Sequence, residues 1–395
     1  MCQNQKMKVA YLSQTALSDV DISYIKEAQK VLDITYYIQA SPSQRQKAAL
    51  NLKELPERFG IIPGDCVEEL KKFAAIIDLN KVFVINYTAK SNHSIESIVE
   101  SYYVYKELKK NNYDVIHLTW PPSYSDLFIY RLRKKIVLTV HDPFSHSSQA
   151  GGIREYERKR AFSKIDNFIL LNSAQTEAFI HAYGLDIPSK HIYNSRLSIY
   201  DYLNIHKNCI LPINYNQVLF FGQIFAHKGV DYLLEAMTKV HVICPEAKLI
   251  VAGGGQYWFE IDAYKKLDYI DIQNRYIPDS ELVQLVSSSA FVVVPYIDAT
   301  QSGVVMTAYT FNKPCIATKV GALPEMVLNG YNGVLIEPKD SCGLANAIVE
   351  LLQNPQLIDK FSNQIENDYK NGKMSWLAIA KQHNVIYKNV MNCNN

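Results

Sequence analysis

Short β-branched and aromatic runs alternate with helical stretches along almost all of this 395-residue chain. That alternation admits few folds, because strands joined through crossover helices run parallel and their sheets are covered on both faces. The first half predicts strands at Lys8–Ser13, Ile34–Gln39, Lys81–Asn86, Val115–Trp120, Ile136–His141 and Phe168–Asn172. Between them the spacing predicts helices at Val20–Leu32, Cys66–Ile77, Ile95–Lys110, Tyr124–Arg133, Ile153–Lys164 and Ala174–Ala182. A second series of strands starts at Val218–Gly222 and continues with Lys248–Ala252, Phe291–Pro295, Cys315–Thr318 and Gly333–Ile336. Its helices are expected near Gly229–His241, Ser280–Ser288, Gly303–Phe311 and Leu344–Gln353. The stretch Ser198–Asn216 has no clear period and reads as the connection between two doubly wound α/β domains. Trp376–Asn389 reads as an amphipathic helix after the stop signal Asn371-Gly372. The length agrees, since single cores stop growing near ~250–300 residues.

Several classes are disfavoured. No apolar run approaches the ~18 residues of a membrane span, and the first apolar residues form only the run Val9–Leu12, which is no secretory signal. The seven cysteines (2, 66, 209, 244, 315, 342 and 393) are scattered without Cys-x-x-Cys, which argues against a disulfide framework or zinc site and for a reducing cytoplasm. Residues 1–200 hold 26 Lys+Arg against 21 Asp+Glu, and the rest hold 15 against 18. This is too dilute for a nucleic-acid stripe. It is compatible with a mixed solvated surface or with peripheral contact of the basic half with the inner face of a membrane.

Three loops of the second half are suited to phosphate. In Phe220-Phe221-Gly222-Gln223-Ile224-Phe225-Ala226-His227-Lys228-Gly229, Gly222 permits a sharp turn out of a strand. Lys228 then places a cation near the N-terminus of the next helix, where free amides favour an anion. The order Lys-Gly is not that of a Walker loop, and an exposed lysine in a tight turn is the plainer alternative. In Val294-Pro295-Tyr296-Ile297-Asp298-Ala299-Thr300-Gln301-Ser302-Gly303-Val304 a buried strand gives way to a polar lead-in. Ser302 then caps an apolar helix, and Gly303 allows a ligand close to the backbone. The third cluster, Gly253-Gly254-Gly255, ends another strand. It lacks the spacing and the acidic partner of a dinucleotide site, so a nucleoside diphosphate fits better.

These motifs resemble glycosyltransferase family 4, retaining enzymes of the GT-B fold that use nucleotide sugars. The resemblance runs through Phe221-Gly222…Lys228-Gly229, Ala247–Gly255, Tyr276-Ile277-Pro278-Asp279-Ser280-Glu281-Leu282, Val294-Pro295-Tyr296, Lys313–Thr318, Gly321–Glu325 and Asn332–Ile336. In the first half it rests on Leu138-Thr139-Val140-His141-Asp142-Pro143. The resemblance implies two Rossmann-like domains facing across a cleft: an acceptor-side domain at 1–203, a nucleotide-sugar domain at 204–375 and a helix at 376–395 returning to the first. It implies donor contacts from Gly222, Gln223, Gly229, Gly253, Gly254, Ile277, Thr300, Gln301, Ser302, Gly303 and Val304. Catalytic roles fall to Lys228 and to His141, at a strand end facing the cleft. Two departures stand out. Gln223 occupies the place where the family usually carries arginine, and Ala299 and Thr307 stand where it often carries glutamates. A subset of the family resembles this Thr-Gln-Ser-Gly-Val version.

The activity so implied is transfer of a sugar, with retention, to a glycan or lipid-linked acceptor in bacterial-type surface polysaccharide synthesis. It needs no cofactor besides the donor substrate and no metal, with Lys228 and the amides near Ser302 stabilising the leaving diphosphate. Asp19-Val20-Asp21 has the look of a metal-binding Asp-x-Asp, but a solvated helix N-terminus explains it better. Ser13-Gln14-Thr15, after the first strand, is expected on the other wall of the cleft but lacks the glycines often found there in the family it resembles. The rival reading is a catalytically silent GT-B subunit that binds nucleotide or a partner transferase.

Overall fold

A computed structural model describes residues 6–47, 49–141, 143–144 and 153–392. The chain forms two units, Met1–Leu197 with Trp376–Asn395, and Ser198–Ser375. In the first unit, strands β1 (Lys8–Gln14), β2 (Asp33–Ala40), β3 (Gln46–Lys47), β4 (Leu50–Asn51), β5 (Gly60–Pro63), β6 (Val82–Asn86), β7 (Val115–Leu118), β8 (Ile136–Val140), β9 (Asn167–Leu170) and β10 (His191–Asn194) appear in chain order. Eight of them make a sheet ordered β10-β9-β8-β7-β1-β2-β6-β5, while β3 and β4 form a small hairpin. All pairings in the sheet are parallel except β5 with β6. The helices are α1 (Ser18–Val31), α2 (Ile95–Asn111), α3 (Ile153–Lys164) and α4 (Thr176–Tyr183). β7 and β8 are buried along their whole length, as parallel strands covered on both faces must be.

The second unit carries β11 (Asn214–Phe221), β12 (Lys248–Ala252), β13 (Ile270–Gln273), β14 (Ser289–Val294), β15 (Cys315–Thr318) and β16 (Gly333–Ile336). Its sheet is parallel throughout and ordered β13-β12-β11-β14-β15-β16. Helices α5 (Val230–Ile243), α6 (Asp279–Ser288), α7 (Gly303–Thr310), α8 (Leu323–Met326), α9 (Ser341–Gln353) and α10 (Pro355–Glu366) belong to it, and α11 (Trp376–Asn392) to the first. Both units are thus Rossmann-like and doubly wound. In each, the strand order reverses beside the first strand, between β1 and β7 and between β11 and β14, the place where such sheets open a crevice for ligands.

Several expectations need correction. Residues 198–203 belong to the second unit rather than the first. The 3₁₀ turn Asp201–Cys209 packs on α6, and the Tyr200 amide donates to Thr310 Oγ1 at 2.8 Å. Cys66–Ile77 is not a helix but a succession of 3₁₀ turns, Gly64–Cys66 and Glu68–Phe73. Tyr124–Arg133 likewise resolves into turns and a 3₁₀ segment, Ile129–Lys135. The small strands β5, β10 and β13 and helix α10 add to the predicted set. Asp142, Cys2 and Cys393 lie outside the described residues.

Asp21 is the sharpest correction, because it is buried rather than solvated. It lies in α1 at 0% exposure and accepts from the Tyr11 hydroxyl at 2.8 Å and the Tyr36 hydroxyl at 3.2 Å. Beside it, Trp376, Ile379, Ala380, His383, Ile386, Tyr387 and Val390 form the buried stripe of α11, at the spacing of one helical face. This stripe packs on α1. His383 bonds Tyr24 Oη and Ser195 Oγ, each at 3.0 Å. His117 bonds Tyr387 Oη and Thr139 Oγ1, each at 2.6 Å. Asp21 and the two histidines are each met by hydroxyls, which is the condition for burying them at tolerable cost.

That cluster sets a pH dependence. Burial pushes the Asp21 carboxyl up to about 7, against three hydroxyls and in the field of Asp19. The folded protein therefore binds more protons at this site than the unfolded chain between about pH 4 and 7, and the site's stabilisation is lost as pH rises through that window. Burial acts oppositely on the histidines, holding His383 down at about 4 and His117 well below its usual value, so their contribution is lost on acidification below about 6.5. Asp21→Asn should remove only the first effect. Its stability relative to the parent should improve by up to about 1.4 kcal/mol per pH unit from pH 4 to 7, read by denaturant melts across that range. A constant difference at every pH would show that Asp21 does not titrate there.

Candidate active site

The second unit gathers most of the expected residues at the reversal between β11 and β14. Gly222 follows β11, and a Cβ built on it would meet Val304 Cγ2 at 3.5 Å, so this turn abuts the start of α7. The turn is tied to the glycine cluster after β12: the Gly222 amide donates to the Ala252 carbonyl and the Ile224 amide to the Gly254 carbonyl, both at 3.0 Å. Gly253, at φ +146°, lies so close to Gly222 that a Cβ would overlap the Gly222 carbonyl oxygen. Gly229 has φ +65°, and its Cβ position is occupied by the Pro295 carbonyl oxygen. Only glycine satisfies both requirements at each position. Gly254 packs on the backbone of Arg275 and Tyr276, which puts it next to the Ile277 segment after β13.

Lys228 occupies the centre of this arrangement. It sits in the 3₁₀ turn Ala226–Lys228 that leads into α5, half-buried, with its ammonium 3.7 Å from the centroid of the Tyr296 ring. Among the described residues it has neither an ion-pair nor a hydrogen-bond partner. Burial pulls it down to about 8. An ammonium held against an aromatic face with no counter-charge is poised to receive an anion. Tyr296 itself is buried, its phenol beside Ser302. The two loops are stapled by the Ile297 amide donating to the His227 carbonyl at 2.8 Å.

Ser302 caps α7, its Oγ accepting from the Val305 amide at 3.4 Å. The Gly303 and Val304 amides, first in the helix, have no intrahelical partner and add the positive end of the helix dipole. The Gln301 Nε2 donor is buried without a partner. Thr300 accepts from the Ala322 amide through its carbonyl at 3.2 Å. Gln223 is exposed, and Thr307 is buried within α7. Among the described residues, no group of three or more His, Cys, Asp or Glu side chains is placed to hold a metal ion.

His141 belongs to the first unit, just after β8. There it lines a cavity of ≈ 450 Å³ at the carboxyl ends of β1, β2, β7 and β8, with Gln14, Gln39, Glu100, Thr119 and Trp120 also in the wall. Gln14 accepts from Gln44 Nε2 at 2.9 Å, and Ser13 is buried under the Thr119 hydroxyl at 2.6 Å. Sequence reasoning passed over Glu100, a buried carboxylate that accepts from the Thr88 amide at 2.9 Å and hydroxyl at 2.6 Å. It also passed over Trp120 and Tyr296 as site residues. Glu100 looks like an ordinary surface charge in α2, and nothing local marks it.

Comparison with known proteins bears on both units. Residues 68–195 match the family model described as Glycosyltransferase Family 4, and residues 215–354 match that described as Glycosyl transferases group 1. An uncharacterized glycosyltransferase of Methanocaldococcus jannaschii is 33% identical over 147 residues, 36% of this chain and 40% of the relative. A D-inositol 3-phosphate glycosyltransferase of Corynebacterium glutamicum is 25% identical over 46% of this chain and 45% of its own length. The chain thus spans about half the length of the curated relatives it matches. Among solved structures, sucrose-phosphate synthase from Thermosynechococcus elongatus superposes with TM-score 0.70 at 18% identity, covering 98% of this chain and 100% of the other. HepE of Anabaena, in complex with UDP and glucose, superposes with TM-score 0.64 at 15% identity, covering 97% and 100%. At such identities the structural likeness speaks for the fold.

Proposed function

Since the chain belongs to the group 1, family 4 glycosyltransferases and has their GT-B fold, we propose that it moves a sugar from a nucleoside-diphosphate sugar to a hydroxyl of a glycan or lipid-linked acceptor. The transfer retains anomeric configuration and serves surface polysaccharide synthesis of the bacterial type. The observation that carries this reading is the half-buried Lys228 ammonium, without an ion pair among the described residues, over the Tyr296 ring whose phenol lies beside Ser302 at the start of α7. A departing diphosphate meets one cation, two amides and a helix dipole there, which is the stabilisation this bond cleavage needs. Gly222, Gly229, Gly253 and Gly254 keep side chains out of that space, and Gln301 offers its spare donor to the donor substrate. Gln223 and the Ile277 backbone complete the donor contacts. As the anomeric C–O bond to the diphosphate breaks, the acceptor oxygen bonds the same carbon and its proton passes to the departing phosphate. His141, in the cavity of the first unit, is the candidate sugar-binding group there.

The test is a panel of nucleotide sugars, with uridine and adenosine diphosphate donors first, scored by thermal shift and nucleotide release. Transfer or slow donor hydrolysis supports the enzyme. The exposed Gln223 and the neutral Thr307 favour one other reading, a silent subunit, and stabilisation by diphosphate without turnover would establish it. Because Lys228 and the α7 amides carry the charge work, activity should survive a chelator. Full loss on chelation, restored by Mg²⁺ or Mn²⁺, would overturn that assignment.

A further inference from the structure

We propose that the outward face of α2, with the loop after β7, is a docking surface for an anionic lipid bilayer. Ile95, Val99, Tyr102 and Tyr103 are exposed at 82, 47, 38 and 52%. At 3.6 residues per turn they fall within roughly 120° of arc, together with Lys106, Lys109 and Lys110. The opposite face of the helix is the one that packs inward, through Ser97, Glu100, Ser101, Val104, Tyr105 and Leu108. The outward face of α2 therefore keeps four large apolar side chains exposed among the described residues.

The neighbouring loop extends the same surface. Trp120, Tyr124 and Leu127 are exposed at 42, 41 and 38%, and the rings of Tyr102 and Phe128 meet at 5.0 Å. Cations sit on these rings: Lys106 lies 5.7 Å from the centroid of Tyr102 and Arg131 lies 5.2 Å from that of Phe128. Arg133 and Lys134 follow, also exposed. Aromatic rings beside lysine and arginine are what the headgroup zone of a bilayer accepts, the rings entering the interface and the cations meeting lipid phosphates. The acidic residues of the helix do not share the arc: Glu96 and Glu107 flank it, and Glu100 faces inward. Charge selects the occupant. A second copy of this chain docking face to face would set Lys106, Lys109 and Lys110 against themselves, whereas an anionic bilayer complements them. Trp120, exposed in that loop, also lines the wall of the cavity that holds His141. Docking therefore brings that cavity next to the headgroups, and the choice of a lipid-linked acceptor over a soluble glycan rests on the function proposed above.

Flotation of the full chain with vesicles tests the docking itself. The protein should float with phosphatidylcholine–phosphatidylglycerol vesicles, not with phosphatidylcholine alone, and less at high salt. A Lys106→Glu/Lys109→Glu/Lys110→Glu variant should lose about 100-fold or more in partitioning. An Ile95→Ser/Val99→Ser/Tyr103→Ser variant should lose partitioning at low and high salt alike. Both variants should keep the parent's melting temperature and its binding of nucleoside diphosphate, since none of the six residues lies in the donor site. Failure of the parent to float with anionic vesicles, or variants that float like the parent, would overturn the proposal. So would a concentration-dependent dimer that only the serine variant abolishes, which would make this face an interface between copies. A parent that floats but binds no nucleotide sugar would instead remove the transferase reading and leave the docking standing.

Discussion

Replacing Lys228 with alanine is expected to lower the initial rate with the preferred donor by about 10²–10³ while the protein melts as the parent does. The lysine is the cation of its loop, because the residue after Gly222 is the neutral Gln223. Its ammonium has no carboxylate to lose and only the Tyr296 ring to leave, so removing it changes little in the empty protein and much when negative charge develops on a diphosphate. Lys228→Arg should keep part of the activity, since the charge survives but the compact ammonium is replaced by a planar fork. Gln223→Ala should cost less than Lys228→Ala, a neutral amide giving a weaker contact than a charge-assisted one. Acidity gives a second readout. Burial holds Lys228 at about 8, so the fraction carrying the positive charge falls as pH rises through that value. The free-enzyme profile, kcat/KM for donor against pH, should decline above about pH 8, and the decline should vanish in Lys228→Arg, whose guanidinium does not titrate in that range. A folded Lys228→Ala that turns over like the parent would move the phosphate cradle elsewhere.

What was legible in the sequence was what local chemistry encodes. β14 shows why: Ser289–Val294 is buried from end to end, and an uninterrupted apolar run bounded by polar loops announces an interior parallel strand. The edge strands β5, β10 and β13 are only four residues long, mostly half-exposed, and gain their identity from the neighbour they pair with. Cys66–Ile77 spaces Val67, Leu70, Phe73 and Ile77 as a helix would, and all four are buried, but they are buried by successive 3₁₀ turns. The periodicity was real and its interpretation was not unique. The site divides in the same way. Gly222, Lys228, Gly229 and Ser302 announce themselves because a turn, a cation and a helix cap are written within a few residues of one another. Tyr296 under Lys228 comes from the loop after a different strand, β14, brought alongside β11 only by the sheet order. Asp21 was misread for the same reason: Tyr11 lies on β1 and Tyr36 on β2, and the hydroxyl cage that lets a carboxyl sit at 0% exposure exists only once those strands pair.

Gly253→Ala should be the most destabilising of the single substitutions considered, at about 2–6 kcal/mol, and it should abolish donor binding at temperatures where the parent is folded. Two costs combine. At φ +146° an L side chain is in a backbone region nearly reserved for glycine, a strain of about 1–3 kcal/mol. The added methyl would also overlap the carbonyl oxygen and carbon of Gly222, which is backbone and cannot rotate away as a side chain would, so a shift of the overpacking kind adds about 1–3 kcal/mol more. The shift has a direction. Gly222 is tethered to β12 by the hydrogen bond its amide donates to the Ala252 carbonyl and approaches Val304 on α7, so pushing it aside moves the turn that carries Lys228 relative to the first amides of α7. Gly254→Ala is the control. Gly254 is absent from the positive-φ residues, and its Cβ would meet only ordinary contacts at 3.6 to 3.8 Å with Arg275 and Tyr276, so its melt should stay within about 1 kcal/mol of the parent. Chemical denaturation of the two variants beside the parent, with nucleoside diphosphate titrated into each, separates the cases. If Gly253→Ala melts and binds like Gly254→Ala, the close approach of the two turns is not what holds the phosphate site open.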